Sequence, residues 1–232
     1  MITLHTHDRE IVAEKAGKRL TEMLRGRKET LLLISGGSAF SVLDYVDSKV
    51  LTPELTIAML DERYSNDEQV NNYLQFTRTA LYGKAIDAGV NIFTTSIIDS
   101  ETKEEMASRY NTFLSEWMQE NKKGNIAVVF GIGADGHTAG IAPHLPSQLF
   151  SSLFESNEFV IAYETEYLEP SERITTTATF FKYVTHGICY AVGEDKREAI
   201  GHVMEGGGLI SEVPARVLHR VPHLHLFTDQ KV

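Results

Sequence analysis

The chain has 232 residues, 22 basic and 32 acidic, which gives a formal net charge of −10 at pH 7. A hydrophobic share of 42% suits a globular protein rather than a disordered one, and the length fits a single domain over residues 1–232. The acidic balance argues against a nucleic-acid-binding protein or an anionic-membrane-binding protein, because both usually carry a basic face. One cysteine, Cys189, excludes an internal disulfide framework and a cysteine-rich zinc module.

Two features of the sequence predict a cytoplasmic protein. No apolar run approaches the roughly 20 residues that a membrane-spanning helix requires. The segment from Met1 to Val12 carries charged residues where a signal peptide has its apolar core. We therefore expect no membrane partner.

Helices and strands are predicted to alternate along the chain. Asp8 is a plausible N-cap for a first helix that ends at Leu24, and the apolar run Thr30–Ile34 is typical of a strand covered on both faces. Later helices are predicted at Phe40–Val46, Asn72–Leu81, Glu101–Met118 and Asp195–Met204, and later strands at Leu55–Leu60, Ile126–Phe130, Phe159–Tyr163, Ile188–Val192 and His223–Phe227. This alternation predicts a Rossmann-like layered α/β domain with a mostly parallel sheet flanked by helices.

Four predicted strands end in glycine-rich or charged loops. These loops have the sequences SGGS (Ser35–Ser38), DER (Asp61–Arg63), GIGADGHT (Gly131–Thr138) and GEDK (Gly193–Lys196). In an open α/β sheet, ligands bind in the crevice outside the carboxyl ends of the strands. The four loops are therefore candidates for a single site, although sequence order alone does not show that they are neighbours.

The Ser35-Gly36-Gly37-Ser38 loop has the composition of a phosphate-binding turn. Two glycines allow the backbone to point its N–H groups at an anion, and the positive end of a following helix would add to this. The loop is not a Walker A motif, since no Gly-Lys-Ser/Thr follows, and Ser38 lacks the flanking glycines of a nucleophile elbow. A plain strand–turn–helix connection is the structural alternative.

The GIGADG segment has the glycine spacing of a dinucleotide-binding fingerprint, but the residues after it argue against that interpretation. Gly140, Pro143 and Pro146 interrupt the helix that the fingerprint requires, and Glu155, at the right distance for its acidic residue, precedes a strand. His137 is instead a candidate acid/base group, because neutral imidazole accepts a proton near pH 7.

Four other charged residues carry both a functional and a structural interpretation. Asp61 and Glu62 form a paired carboxylate, although an exposed turn would have the same composition. Arg173 lies in a strand-like threonine run and is a candidate phosphate partner. Lys196 begins a predicted helix, where its charge opposes the helix dipole unless an anion binds nearby.

The remaining histidines are assigned to packing or to the surface. A zinc site is disfavoured because no acidic or cysteine partner completes a ligand set near the clustered residues His219, His223 and His225. No metal is therefore expected.

The set of loops resembles the 6-phosphogluconolactonases, in a superfamily shared with glucosamine-6-phosphate deaminases. The matching pieces are LISGGS, LDERY with a downstream NNY, GIGADGHTAGIAP, PSERITTT and AVGEDK, which span Leu33 to Lys196 in family order. DER and DGHTA favour the lactonase branch. Ala39-Phe40 and Gly140-Ile141 depart from the usual family pattern and could alter the pocket wall.

The resemblance implies that a sugar phosphate is the substrate, with its phosphate held by the SGGS loop, Arg173 and Lys196. It also implies that His137 is the acid/base group and that no cofactor is needed. The expected reaction is hydrolysis of 6-phospho-D-glucono-1,5-lactone, with water attacking C1. Backbone N–H groups of the GIGADG loop are candidate donors to the oxyanion.

The other site residues are expected to support this reaction. Asp135 or Asp61 would orient the histidine. Glu62 is placed with the substrate-binding residues, and Arg63 either reaches substrate oxygens or braces its loop. The sequence does not predict the oligomeric state.

The sequence leaves two alternative functions open. In a glucosamine-6-phosphate deaminase, Asp61 would move a proton at C2 and His137 would assist ring opening. A non-catalytic sugar-phosphate sensor would require a DNA-binding segment, for which the stretch before the first strand is too short, and it gives His137 no role.

Overall fold

The computed structural model describes residues 1–26 and 29–232, and within them a seven-stranded sheet forms the centre of the fold. Every strand pairing in this sheet is parallel. The strands, in spatial order, are β1 (Ile2–Thr6), β10 (His223–Thr228), β9 (His186–Tyr190), β6 (Asn125–Phe130), β2 (Thr30–Ile34), β3 (Leu55–Met59) and β5 (Asn91–Ile92). The predicted layered α/β fold is confirmed.

Helices cover both faces of this sheet, which explains why the central strands are apolar throughout. Leu31 and Leu33 of β2 belong to one buried cluster, whereas Leu32 and Ile34 belong to another, as the two-residue period of a strand requires. The helices are α1 (Arg9–Leu24), α2 (Phe40–Leu43), α3 (Asn72–Phe76), α4 (Ala80–Asp87), α5 (Lys103–Glu120), α6 (Ser147–Phe154) and α7 (Arg197–Met204).

A second, antiparallel sheet lies beside the first and was not expected. It consists of β4 (Asp61–Arg63), β8 (Glu172–Thr176) and β7 (Val160–Glu164), with β8 in the middle. The strand expected at 159–163 therefore belongs here and not to the parallel sheet. DER is a short strand rather than a loop, because its backbone pairs with the threonine run of β8.

Several other boundaries differ from the predictions for local reasons. The helix expected over 72–81 breaks into α3 and α4, because the hydroxyl groups of Thr77 and Thr79 donate to the carbonyl oxygens of Leu74 and Phe76. Asp8 lies at the N-cap of α1 with extended backbone but makes no side-chain capping bond. Strand β1 and helix α6 were not predicted, and β9 begins two residues before the expected strand.

The topology places a crevice between β2 and β6. From β2 the chain continues to β3 and β5 on one side, whereas from β6 it continues to β9 and β10 on the other. Strand order therefore reverses at this point, which is where open α/β sheets bind ligands. Within the described parts of the chain, none of the helices combines the length and apolar character needed to cross a membrane.

Candidate active site

A cavity of about 350 Å³ is lined by the loops that follow β2, β6 and β9 together with residues of the second sheet. All but one of the predicted site residues line it, namely Ser35, Gly36, Gly37, Ser38, Asp61, Arg63, Asp135, His137, Arg173 and Lys196. Glu62 is the exception. The convergence that sequence order alone left open is thus present in the structure.

His137 and Asp135 form a hydrogen-bonded pair in the loop after β6. Nδ1 of His137 lies 2.6 Å from Oδ1 of Asp135, and the same oxygen accepts the backbone N–H of His137 at 3.1 Å. A carboxylate can only accept, so the neutral ring carries its proton on Nδ1 and leaves the lone pair on Nε2. The His137 side chain is 37% exposed, and a water or a substrate can reach it. Of the two carboxylates expected to orient His137, Asp135 is the one that hydrogen-bonds the ring among the described residues, whereas Asp61 accepts from Ser35.

The contact with His137 makes the carboxyl group of Asp135 more acidic. Partial burial of Asp135 acts to raise its pKa, but the hydrogen bonds and the electrostatic effect of His137 outweigh it, and the pKa lies below its ordinary value. Asp135 is thus ionised at neutral pH and stabilises a positive charge on the imidazole ring.

The glycines of the loop make room for this pair. Gly133 has no space for a side chain, because a Cβ there would collide with the His137 ring and the Asp135 carboxylate. Gly136 has a φ of 83°, which glycine adopts at little cost. Gly133 N–H donates to the His137 carbonyl at 2.8 Å and Gly136 N–H to the Gly133 carbonyl at 3.0 Å. These two N–H groups and that of His137 are engaged within the loop, so they are not free for the expected oxyanion role.

Two arginines are cross-strand neighbours on one face of the second sheet. Arg63 of β4 is paired with Arg173 of β8 in the antiparallel register, so both side chains project from the same face. Arg173 is 5% exposed, and it donates to the carbonyl oxygens of Pro170 at 2.8 Å and Glu169 at 2.7 Å. Burial lowers the pKa of Arg173, Asp61 acts in the opposite direction, and Arg63 lowers it further. An anion between the arginines would relieve their repulsion.

Lys196 supplies a third positive charge to the cavity. Its Nζ donates to the carbonyl of Ile132 at 2.6 Å, which connects the loop after β9 to the loop after β6. An ammonium group has three N–H donors, and Lys196 uses one of them among the described residues, which leaves two for a ligand.

The SGGS loop differs in one respect from the expectation. Ser35 is buried, and its hydroxyl donates to Oδ1 of Asp61 at 3.0 Å. Gly37 has a φ of 66° and begins a 3-10 turn, Gly37–Ala39, and only four α-helical residues follow. The positive end of a helix is therefore a smaller contribution than expected, and the backbone N–H groups of the turn are the main feature of this loop.

The Glu62 side chain points away from the cavity. Asp61 and Arg63 line the cavity, and the alternation of side chains along a strand places Glu62 on the opposite face. It is fully buried. Burial raises the pKa of Glu62 to about 8, against the opposing effect of four hydrogen-bond donors to its carboxyl group. The expectation that Glu62 contacts substrate does not fit this placement.

Some residues of the cavity wall were not predicted. They are Asn72, Gly131, Ile132, Gly133, Ala139, Tyr167, Leu168 and Glu169. Asn72 had a signal, because it belongs to the NNY piece downstream of DER. Residues 167–169 had none, since they lie in the β7–β8 connection and approach the cavity only through the unpredicted second sheet.

Comparison with known proteins gives a family match and more distant relatives. The family described as glucosamine-6-phosphate isomerases/6-phosphogluconolactonase matches residues 8–226. A glucosamine-6-phosphate deaminase of Staphylococcus aureus (strain bovine RF122 / ET3-1) is 26% identical over 138 residues, which cover 57% of this chain and 52% of that protein. The chain thus spans about half the length of the curated relatives that it matches.

Solved structures of similar fold match almost the whole chain. A 6-phosphogluconolactonase from Trypanosoma brucei has a TM-score of 0.75 and 19% identity, covering 98% of this chain and 96% of that one. One from Thermotoga maritima has a TM-score of 0.74 and 15% identity, covering 98% and 99%. One from Shewanella baltica OS155 has a TM-score of 0.72 and 18% identity, covering 98% and 97%. At these identities the likeness establishes the fold.

Proposed function

Because this chain belongs to the glucosamine-6-phosphate isomerase/6-phosphogluconolactonase family, we propose that it hydrolyses 6-phospho-D-glucono-1,5-lactone to 6-phosphogluconate. The observation that carries this proposal is that one cavity contains both an oriented His137–Asp135 pair and three cationic side chains, Arg63, Arg173 and Lys196. The first set can activate water, and the second can hold a phosphate.

The proposed reaction begins with water between Nε2 of His137 and C1 of the lactone. Nε2 takes a proton from the water as the oxygen bonds to C1, and the carbonyl electrons move to the oxygen. When this tetrahedral oxyanion collapses, the C1–ring oxygen bond breaks and the imidazolium returns the proton to the ring oxygen. The sum is addition of one water, with no change of oxidation state. Asp135 remains ionised and stabilises the imidazolium.

The cationic side chains account for substrate binding in the same proposal. A phosphate monoester carries about 1.5 to 2 negative charges at pH 7, which a protein of net charge −10 would otherwise repel. Arg63 and Arg173 each carry a planar guanidinium group that can donate two N–H bonds to the oxygens of one phosphate. The N–H groups of the Gly36–Gly37 turn and Lys196 contribute further donors.

Deamination of glucosamine 6-phosphate is the second candidate function. It is favoured by the curated relatives, which are named deaminases, and by Asp61, whose carboxylate lines the cavity close to the arginines. 6-Phosphogluconolactone and glucosamine 6-phosphate both carry a phosphate group, so phosphate binding alone does not distinguish the two functions.

The purified protein should therefore be given both substrates in parallel. We expect loss of freshly generated 6-phosphogluconolactone well above its spontaneous rate, and no ammonia release from glucosamine 6-phosphate. Ammonia release without lactone hydrolysis would replace the proposal with the deaminase function. Failure of both reactions, with tight binding of 6-phosphogluconate, would favour a sensor.

A further inference from the structure

Glu62 is a buried acidic side chain that the proposed reaction does not use. Its Oε1 accepts the backbone N–H groups of Arg63 at 2.8 Å and Asn72 at 2.5 Å. Its Oε2 accepts the N–H of Tyr73 at 2.9 Å and the hydroxyl of Thr95 at 2.7 Å. One carboxyl group thus joins strand β4, the first turn of α3 and the segment after β5.

The first turn of α3 in turn contacts two parts of the cavity. The side-chain amide of Asn72 donates to the carbonyl of Asp61 at 3.0 Å. The same side chain packs directly on Gly36, where no Cβ would fit, and Asn72 is 1% exposed. Any displacement of this turn is therefore transmitted to Gly36 of the SGGS loop and to the strand that carries Asp61 and Arg63.

We propose that Glu62 is a positioning residue that holds Arg63 and the SGGS loop in the arrangement needed to bind the phosphate group of the substrate. The proposal rests on the proposed function in one respect, that the cavity takes a phosphorylated ligand. The His137–Asp135 pair lies on the separate loop after β6, so Glu62 acts on binding and leaves the acid/base pair in place.

Glu62→Gln removes this arrangement while keeping nearly the same volume. Whichever way the amide is oriented, its NH₂ group faces at least one backbone N–H, that of Tyr73 or that of Asn72. A carboxyl oxygen keeps a lone pair for such a donor even when protonated, whereas an amide nitrogen does not. The two donors must separate, and the first turn of α3 must move.

The test compares wild type, Glu62→Gln and a destabilised control, Val12→Ala. Val12 is a fully buried residue of α1 that does not line the cavity, so its truncation lowers stability without altering the site. Lactone hydrolysis gives KM and kcat, and calorimetric titration with 6-phosphogluconate gives a Kd that needs no turnover. We expect Glu62→Gln to raise both KM and Kd by about 10-fold or more, with kcat within about threefold of wild type. Val12→Ala should change neither KM nor Kd, because simple destabilisation only lowers the folded fraction.

An unchanged Kd and KM in Glu62→Gln would overturn the proposal, as would a fall in kcat at constant KM. If Glu62→Gln does not fold, Thr95→Val removes one of the four donors and should raise Kd in the same direction by a smaller factor; an unchanged Kd would contradict the proposal. Tight 6-phosphogluconate binding by a wild-type chain that lacks lactonase activity would refute the proposed reaction alone. Absence of binding by wild type would refute both.

Discussion

Replacing Gly133 by alanine should perturb the His137–Asp135 pair without changing the identity of either residue. The added Cβ would lie 2.1 Å from Nδ1 of His137. Real Cβ atoms essentially never come within 3.0 Å of such an atom, so the Cβ would be about 1 Å too close. The ring or the loop must therefore shift by about that distance, and a misplacement of ~1 Å between reacting groups can cost about 10²-fold in rate. We expect Gly133→Ala to lower kcat by about two orders of magnitude.

The assay is steady-state hydrolysis of 6-phosphogluconolactone, corrected for spontaneous opening. KM should remain near that of wild type, because the arginine pair lies on other strands. Gly83→Ala is the matched control: it lies in α4 with open space around it, and it should keep full activity and gain ~0.5–1 kcal/mol of stability. Wild-type kcat in a folded Gly133→Ala variant would refute the assignment of this pair as the reacting centre.

Asp135→Asn should lower kcat by about 10²–10⁴-fold, because an amide no longer stabilises the imidazolium; a loss below about 10-fold in steady-state assays would count against this role. The pKa of Asp135 is lowered in the folded chain, so its ionised form stabilises the fold above about pH 4. In chemical unfolding, the free energy of unfolding of wild type relative to Asp135→Asn should fall as the pH drops through that lowered pKa. A pH-independent difference would contradict this. Arg63→Ala should raise KM by about 10- to 100-fold with little loss of thermal stability, since its Nε has no partner among the described residues. Arg173→Ala should raise KM and also lower the melting temperature, because the carbonyl oxygens of Glu169 and Pro170 lose their donor; equal melting temperatures for the two variants would contradict the difference.

The parallel sheet was predictable because its central strands are uniformly apolar. Strand β2 has the predicted bounds, since a strand buried on both faces shows neither the polar alternation of a surface strand nor the spacing of an amphipathic helix. The loops after β2, β6 and β9 could be located from the same pattern, because polar and glycine-rich residues begin where each strand ends. Their convergence needed only the general rule for carboxyl ends of parallel strands.

The second sheet was not predictable in the same way. Strand β4 is short and consists of charged residues alone, and its register with β8 depends on contacts far apart in the chain. Without that register, Asp61, Glu62 and Arg63 look like one polar loop. Once they form a strand, alternation sends Asp61 and Arg63 to the cavity and Glu62 to the interior, which reverses the expectation for Glu62.

In the proposed reaction His137 performs the chemistry, while other residues bind the substrate. The most direct test measures lactone hydrolysis and 6-phosphogluconate binding in wild type and His137→Ala. We expect the variant to lose turnover by about 10²–10⁴-fold and to bind 6-phosphogluconate with a Kd close to that of wild type. Retained hydrolysis in His137→Ala would contradict the proposed reaction.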